Sequence, residues 1–357
     1  MKEAGFSKIL KVMPGGIREK FAPAWMILKI LVKKPRGYRN ALLSLFSETL
    51  RSSYAFGNPV SITLEPSNMC NLRCPVCETG AGILGRKPQM MSYESFVKIM
   101  DKVGPKANHL MFYFMGEPFL NRDAYRMIRY ARDMGLYVTT CTNGEYVDPE
   151  ALYASRINNI SFQIGGVTQE THQVYRVQSD FSKVFGNLKS YLKIIGDKGR
   201  KAGEHKVELG LIVMKQNEGE IEAFLKLGRD LKVRATLIPP CVRTPEQGRQ
   251  YLPKSEPFWV YDRERLEKDD QLVIKRLFPW NSCPWIYYAI TIQVDGTVVP
   301  CCRDPHGKFP LGNLLCQTLE EVWNGPEFRK FRLQLLKTKH PLPLCHLCPG
   351  EGMPMLK

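Results

Sequence analysis

The stretch CNLRCPVC at residues 70–77 holds three cysteines in a Cys-x3-Cys-x2-Cys spacing. It follows the apolar run Val60–Leu64, which predicts a β-strand, so the three thiols share one loop at the end of that strand. Three thiolates can hold three irons of a [4Fe–4S] cluster and leave the fourth iron open to an exchangeable ligand. The spacing also fits a zinc site with a distant fourth ligand, or three incidental buried thiols.

Strand and helix patterns alternate from this loop to residue 240, which predicts six β/α units and hence a parallel sheet with right-handed crossovers. In such folds the chemistry gathers at the carboxyl ends of the strands. The predicted strands are Val60–Leu64, His109–Met115, Leu136–Cys141, Asn159–Ile164, Val207–Met214 and Arg234–Pro239. The predicted helices between them are Ser92–Val103, Arg122–Met134, Phe181–Ile195 and Glu218–Leu231.

A second cysteine group lies near the C-terminus, where Cys283-x17-Cys301 encloses the hairpin signal Asp295-Gly296 and Cys345-x2-Cys348 follows a helical pattern at Leu319–Leu336. Four thiolates fill every coordination position of one centre, and both a zinc ribbon and an iron–sulfur cluster fit this spacing. Cys302 is an alternative ligand to Cys301. The cysteines without partner spacing, interpreted as structural, are Cys141, Cys241 and Cys316.

The composition is that of a globular protein: 357 residues, 44% hydrophobic and 24% charged. It excludes a disordered, collagen-like or coiled-coil chain. The longest apolar stretch, Phe21–Val32, is interrupted by Lys29 and is too short to span a bilayer. No export signal precedes it, so we expect a cytoplasmic protein whose eleven cysteines are reduced.

The net charge of +16 is concentrated at the N-terminus, because residues 1–56 carry eleven Lys and Arg against three Glu. Helical patterns at Pro23–Lys34 and Ala41–Leu50 fall in this region. A basic segment rich in Leu, Ile and Trp suits an anionic membrane surface, which would make the protein peripheral at the inner face of the membrane. A helical cap packed on the main domain is the alternative. The charge comes with no base-stacking motif, which argues against nucleic acid.

Two further motifs follow the three cysteines in order: Gly116-Glu117-Pro118 at the end of the second strand and Thr142-Asn143-Gly144 after the third. Together with residues 70–77 they resemble the radical SAM superfamily, over roughly residues 58–240. The C-terminal part resembles the SPASM/twitch modules appended to that family. The motifs that carry this second resemblance are Gly296-x4-Cys301, Leu311-Gly312-Asn313, Glu320-Glu321-Val322-Trp323 and Cys345-x2-Cys348.

The resemblance implies an α/β fold, namely a partial (β/α)6 TIM-like barrel with a small C-terminal α+β cluster-binding module. The predicted organisation is a basic helical extension at residues 1–57, a core barrel at 58–240, a bridging segment at 241–282 and a SPASM/twitch-like module at 283–357.

The resemblance also implies the cofactors. S-adenosylmethionine would chelate the open iron of a [4Fe–4S] cluster held by Cys70, Cys74 and Cys77, and its reductive cleavage would give a 5′-deoxyadenosyl radical that abstracts a hydrogen atom. A low-potential donor of the flavodoxin or ferredoxin type would supply the electron. One auxiliary [4Fe–4S] cluster would be held by Cys283, Cys301, Cys345 and Cys348.

The family's S-adenosylmethionine contacts map onto four residues. Gly116 and Glu117 match the segment that binds the methionine amino group, although Met115 replaces the usual preceding glycine. Val76 falls where the family places a residue near adenine. Gln163 falls where relatives carry a ribose contact, although Gly165-Gly166 replaces the usual Asp-Gly.

Two other roles stay open at this point. Asn217 would either contact the adenosine or cap the following helix, and capping is the stronger expectation. The acceptor of the substrate proton is not assigned, since Arg176, Tyr175 and His172 are equally defensible.

A fully ligated auxiliary cluster suggests that the substrate radical passes an electron to it. The four-cysteine count resembles twitch-type dehydrogenases, so the main prediction is oxidation of a small molecule such as a sugar, a cyclitol or a lipid-linked precursor. The alternative is a maturase acting on a peptide or protein. The seven-cysteine SPASM pattern is absent and the N-terminal 57 residues are short for a peptide-recognition domain, which weakens that alternative. A basic zinc-binding interaction module is the hypothesis from another class.

Overall fold

The computed structural model describes residues 38–276, 279–338 and 342–350. The predicted helix Pro23–Lys34 lies outside these residues. Six parallel strands form one continuous sheet in the spatial order β6-β5-β4-β3-β2-β1, as expected for a partial (β/α)6 barrel. The strands are β1 (Ser61–Leu64), β2 (His109–Met111), β3 (Tyr137–Thr142), β4 (Asn159–Ile164), β5 (Lys206–Ile212) and β6 (Arg234–Ile238).

Helices accompany these strands in the described part of the chain, and most of them bury apolar side chains against the sheet or against one another. For example, a helix over Tyr93–Val103 begins where the Ser92 hydroxyl accepts the Ser95 N–H, and it buries Phe96, Ile99 and Met100. In chain order they are α1 (Tyr38–Thr49), α2 (Tyr93–Val103), α3 (Ala124–Asp133), α4 (Pro149–Ala154), α5 (Gln169–Tyr175), α6 (Phe181–Lys198), α7 (Ile221–Asp230), α8 (Pro245–Tyr251) and α9 (Arg263–Asp269).

The C-terminal module extends the same sheet. Its first strand pairs in parallel with β1, in the register Ser61 to Ala289, and two antiparallel strands complete a nine-stranded sheet. The predicted hairpin at Asp295-Gly296 is confirmed, with Gly296 at φ +82°. The elements of the module are α10 (Trp285–Tyr288), β7 (Ala289–Ile292), β8 (Thr297–Val299), β9 (Gly312–Asn313), α11 (Leu319–Trp323) and α12 (Pro326–Lys337).

The single helix predicted over Leu319–Leu336 is wrong, because the structure divides it into α11 and α12. The break falls at Gly325, and α12 begins at Pro326. Proline has no N–H to donate to the preceding turn, whereas at the first position of a new helix that loss costs little. Apart from this break, the predicted strands and helices within the described residues are present, with ends displaced by a few residues.

A buried carboxylate ties the barrel to the C-terminal module. Glu65 follows β1, has a fully buried side chain and accepts two hydrogen bonds of 2.7 Å from the Arg86 guanidinium. It also accepts the backbone N–H of Met115, at the end of β2, at 3.2 Å and that of Val294, after β7, at 3.0 Å. Arg86 donates in turn to the Pro305 carbonyl at 2.7 Å. These bonds fix the ends of three strands relative to one another.

None of the helices within the described residues is long and apolar enough to cross a membrane. The domain limits proposed above stay predictions.

Replacing Glu65 with Gln tests the junction. The substitution leaves the largely buried Arg86 without its counter-charge, and breaking such a pair costs about 3 to 5 kcal/mol. We expect that loss in anaerobic guanidinium unfolding of the cluster-loaded protein. The control is Glu150→Gln, which breaks the exposed Lys198–Glu150 pair and costs less than about 1 kcal/mol. Equal unfolding midpoints for the two variants would contradict the role given to Glu65.

Candidate functional site

The first cysteine set occupies the loop after β1, at the carboxyl end of the sheet. Cys74 is buried, and the thiols of Cys70, Cys74 and Cys77 lie close enough to perturb one another electrostatically. Burial raises the pKa of Cys70 to about 12 and raises that of Cys74 as well. Thiols with raised pKa values, such as those of Cys70 and Cys74, need a strong positive charge to ionise, and the irons of a cluster supply one. The residues therefore fit a three-thiolate cluster site.

Close backbone contacts shape this loop. An ideal Cβ on Gly80 would lie 2.5 Å from the Cys74 nitrogen, so only glycine fits at position 80. The Leu72 N–H donates to the Cys70 sulfur at 3.4 Å. From the end of β3, the Asn143 side-chain amide donates to Asn71 at 2.8 Å and reaches the Cys70 sulfur at 3.9 Å. The loop is thus held by its own turns and by the neighbouring strand end.

The Glu117 carboxylate joins the motifs at the ends of β2 and β3. It is buried and accepts the Thr142 hydroxyl at 2.7 Å and the Asn143 N–H at 2.8 Å, while the Glu117 N–H donates to the Met69 carbonyl at 2.8 Å. Gly116 has φ +75°, and a Cβ there would lie 2.5 Å from the Ser67 carbonyl oxygen. The structure thus brings the three sequence motifs together. The contact of Gly116 and Glu117 with the methionine amino group stays a prediction.

The other two predicted contacts have different surroundings. Val76 is buried in an apolar cluster that includes Leu72, Tyr175 and Met214, beside the first cysteine set. Gln163 lies on β4 and faces the inside of the barrel, where its amide donates to the Ser161 hydroxyl at 2.7 Å. The adenine and ribose roles of these residues stay predictions.

The inside of the barrel holds a cavity of about 610 Å³ that is lined by both polar and apolar side chains. The interior of a complete (β/α)8 barrel is instead packed with branched apolar side chains. Gly210 contributes to the space, because a Cβ at that position would lie 2.4 Å from the Gln163 amide nitrogen. The polar residues that line the cavity include His109, Tyr113, Thr139, Ser161, Gln163, Glu208 and Thr236. This cavity is large enough for a substrate segment with many hydrogen-bonding groups.

The second cysteine set lines one small cavity with apolar walls from Trp285, Phe331 and Leu335. Burial raises the pKa of Cys283 to about 12 and that of Cys345 to about 11. The Arg276 guanidinium donates to the backbone carbonyls of Cys345 and Cys348 at 3.3 and 3.0 Å. The cysteines that meet at this cavity are Cys283, Cys301, Cys302, Cys345 and Cys348.

The geometry distinguishes Cys301 from its neighbour. The Cys301 thiol interacts with those of Cys283 and Cys348. Cys302 is exposed and interacts with Arg303 and Cys241 as well as with Cys348. This arrangement favours Cys301 as the fourth ligand, which stays a prediction.

Within the described residues, no group of three or more His, Cys, Asp or Glu side chains could hold a single metal ion. A [4Fe–4S] cluster takes at most one protein thiolate on each iron, so its ligands do not converge on one point. Both cysteine sets fit the polynuclear group better than a mononuclear zinc site.

Cys241, interpreted above as structural, lies between the two cysteine sets. Arg243 and Arg303 donate to its sulfur at 2.9 and 3.0 Å, and these two guanidinium groups lower the pKa of Cys241 despite its burial. Tyr175 interacts with Cys241 and also with Cys74 and Cys77. A stabilised thiolate at this place can accept a proton or, once protonated, donate a hydrogen atom. No spacing pattern predicts this role, because Arg303 comes from a distant segment of the chain.

The three residues considered as proton acceptors have different surroundings in the structure. The His172 ring is fully buried, with Nδ1 accepting the Gly165 N–H at 3.2 Å and Nε2 bonded to the Ser179 hydroxyl at 2.9 Å, so both nitrogens are occupied. Tyr175 is buried beside the first cysteine set, and burial raises its pKa above the usual range. Arg176 is charged and lies against Cys74.

The prediction that Asn217 caps a helix is wrong. Its side chain makes no capping bond and instead donates to the carbonyls of Gly165 at 2.8 Å and Ile212 at 2.9 Å, while accepting the Met214 N–H at 2.7 Å. These bonds tie the end of β4 to the end of β5.

Two models of known protein families match this chain, one in the barrel and one in the C-terminal module. Residues 64–228 match the family model of the radical SAM superfamily, and residues 283–349 match that of SPASM, an iron–sulfur cluster-binding domain.

Curated relatives and solved structures extend over most of the chain. The mycofactocin maturase MftC of Mycobacterium ulcerans is 24% identical over 294 residues, covering 77% of each chain. The AdoMet-dependent heme synthase of Methanosarcina barkeri is 27% identical over 319 residues, covering 77% of this chain and 85% of the relative. The structure of Streptococcus suis SuiB bound to precursor peptide SuiA has a TM-score of 0.58 and 14% identity, covering 87% of this chain and 74% of SuiB.

The buried His172 predicts a pH dependence of stability. Burial lowers the pKa of His172 to about 4, against about 6.5 when unfolded, so the unfolded chain binds more protons between these values and stability falls as the pH drops through them. Between pH 7 and pH 5 this residue accounts for a loss of about 2 kcal/mol. Anaerobic guanidinium unfolding of the wild type and of His172→Gln at both pH values measures it. An equal loss in the variant would contradict the assignment.

Proposed function

The chain belongs to the radical SAM superfamily and carries a C-terminal SPASM domain, and we propose that it modifies a peptide or protein substrate by radical chemistry. The first cysteine set would hold the [4Fe–4S] cluster of the radical SAM domain, and the second would hold the auxiliary cluster. When bound, the first cluster and S-adenosylmethionine supply a 5′-deoxyadenosyl radical that abstracts a hydrogen atom from a carbon of the substrate.

The chain's own residues would position that substrate. The cavity inside the barrel offers hydroxyl, amide and carboxylate groups that can pair with peptide N–H and C=O groups. The thiolate of Cys241 is held by two guanidinium groups in the space between the cysteine sets, where a substrate radical would lose its proton. Cys74 is buried and the other proposed ligands of both sets are only partly exposed, which would limit the access of water and oxygen to a reactive intermediate.

The main support for a peptide substrate is the alignment with the maturase MftC, which extends over three quarters of both chains. The fold of SuiB, a protein seen with its precursor peptide, supports it. Oxidation of a small molecule, favoured above from the count of auxiliary cysteines, has no comparable support. Similarity to the relative named AdoMet-dependent heme synthase makes a heme precursor the competing substrate class.

The substrate class can be tested with the anaerobically reconstituted protein, S-adenosylmethionine and dithionite. We expect the heat-stable, low-molecular-weight fraction of an extract from the source organism to increase 5′-deoxyadenosine formation. Proteinase K treatment of that fraction, followed by heat inactivation of the protease, should remove the increase if the substrate is a peptide. An increase that survives the protease would contradict the peptide proposal and favour a small molecule.

Cysteine replacements test where the radical forms. We expect Cys74→Ala to reduce 5′-deoxyadenosine formation to the level without enzyme, because the cluster that binds S-adenosylmethionine loses one of three ligands. The matched control is Cys316→Ala, since Cys316 is exposed and belongs to neither set. Full activity in Cys74→Ala, or equal losses in the two variants, would contradict the assignment.

A further inference from the structure

One face of the molecule exposes a continuous group of large apolar side chains. Leu42, Phe46 and Leu50 recur every four residues and therefore lie along one side of α1 and its end. Tyr54 and Phe56 follow, and the Phe56 ring lies 5.4 Å from Phe46 and 5.6 Å from Tyr54. We call these five side chains, with Leu333 of α12, the aromatic face.

The exposure of this face is unusual for a folded protein. Its six residues are each 41–55% exposed, and they make up six of the thirteen large apolar side chains exposed in the described part of the chain. Exposed apolar side chains scattered singly need no explanation, whereas a contiguous patch marks a surface that contacts something else.

Basic residues border the face. The α12 helix packs beside the segment after α1, because Arg51 donates to the Leu336 carbonyl at 2.8 Å and the Ala55 N–H donates to Asn324 at 2.9 Å. Arg329, Lys330 and Lys337 project from α12 into an open trough of about 800 Å³ that Leu333 also lines. The only acidic residue of this helix is Glu327, in its first turn.

The residues that precede α1 in the sequence are also rich in basic and apolar side chains. Residues 1–37 contain nine Lys and Arg and two Glu, together with the apolar run Phe21–Val32. Lysines and arginines near an anionic bilayer contribute about 1 kcal/mol each, and apolar and aromatic side chains enter the boundary between headgroups and acyl chains. The aromatic face with its border and the segment before it therefore both combine basic with apolar side chains.

From this combination we infer that the aromatic face docks on an anionic phospholipid surface, with the α12 trough facing the headgroups. A second copy of the chain is a poorer fit, because a two-fold interface would bring two faces with the same basic residues, Arg329, Lys330 and Lys337, against each other. An anionic bilayer offers the opposite charge over the whole face. This inference does not depend on the substrate proposed above.

The test uses the full-length, cluster-loaded protein and flotation with vesicles of phosphatidylglycerol and phosphatidylcholine. We expect binding that weakens as salt rises and is absent with pure phosphatidylcholine. The variant Phe46→Ser/Leu50→Ser/Phe56→Ser should bind about tenfold more weakly or worse, since it removes apolar area that enters the bilayer. The variant Arg329→Gln/Lys330→Gln/Lys337→Gln should also bind more weakly and with a smaller salt dependence.

The control variant is Tyr146→Ser/Val174→Ser/Val273→Ser, which removes three exposed apolar side chains elsewhere and should bind like the wild type. Iron content and uncoupled 5′-deoxyadenosine formation verify that each variant is folded. Unchanged vesicle affinity in the aromatic-face variant would overturn the inference. So would sedimentation showing a wild-type dimer, a monomeric aromatic-face variant and no vesicle binding, because the face would then be a subunit interface.

Discussion

The buried carboxylate of Glu65 is the constraint on which the rest of the structure depends. A charge in this position is expensive to bury unless every lone pair is used, and its four donor bonds come from Arg86 and from the backbones at Met115 and Val294. Arg86 lies in the segment that follows the cysteine loop, Met115 follows β2, and Val294 follows β7 in the C-terminal module. The same carboxylate therefore fixes the loop, the Gly116-Glu117 motif and the auxiliary module in one arrangement.

The structure also contains several buried thiols and guanidinium groups that lie close to one another. Burial raises the pKa of Cys70 in the first cysteine set and of Cys283 in the second to about 12. Cys241 is the exception, because Arg243 and Arg303 stabilise its thiolate. The irons of a bound cluster would supply the positive charge that thiolates at Cys70 and Cys283 need. For Cys241 the two guanidinium groups of the chain itself favour the thiolate.

Sequence patterns predicted the features that are determined within short segments of the chain. The alternation of strands and helices, the cysteine spacings and the three motifs all lie in short segments, and the structure places those motifs together through Glu117 and Asn143. The patterns missed contacts between distant segments, such as Arg303 with Cys241 and Glu65 with Val294. They also missed the parallel pairing of β7 with β1, because nothing local to a strand specifies its partner. The cavity inside the barrel is likewise lined by residues from strands far apart in the sequence, such as His109, Gln163 and Thr236.

The central claim is that one chain holds two iron–sulfur clusters, one for each cysteine set. Mössbauer spectroscopy and iron analysis of the anaerobically reconstituted protein, compared with Cys70→Ala/Cys74→Ala/Cys77→Ala, test it most directly. We expect about eight irons per chain in the wild type and about four in the variant, all in [4Fe–4S] clusters. A wild type with about four irons, or with zinc in place of iron at the second set, would contradict it.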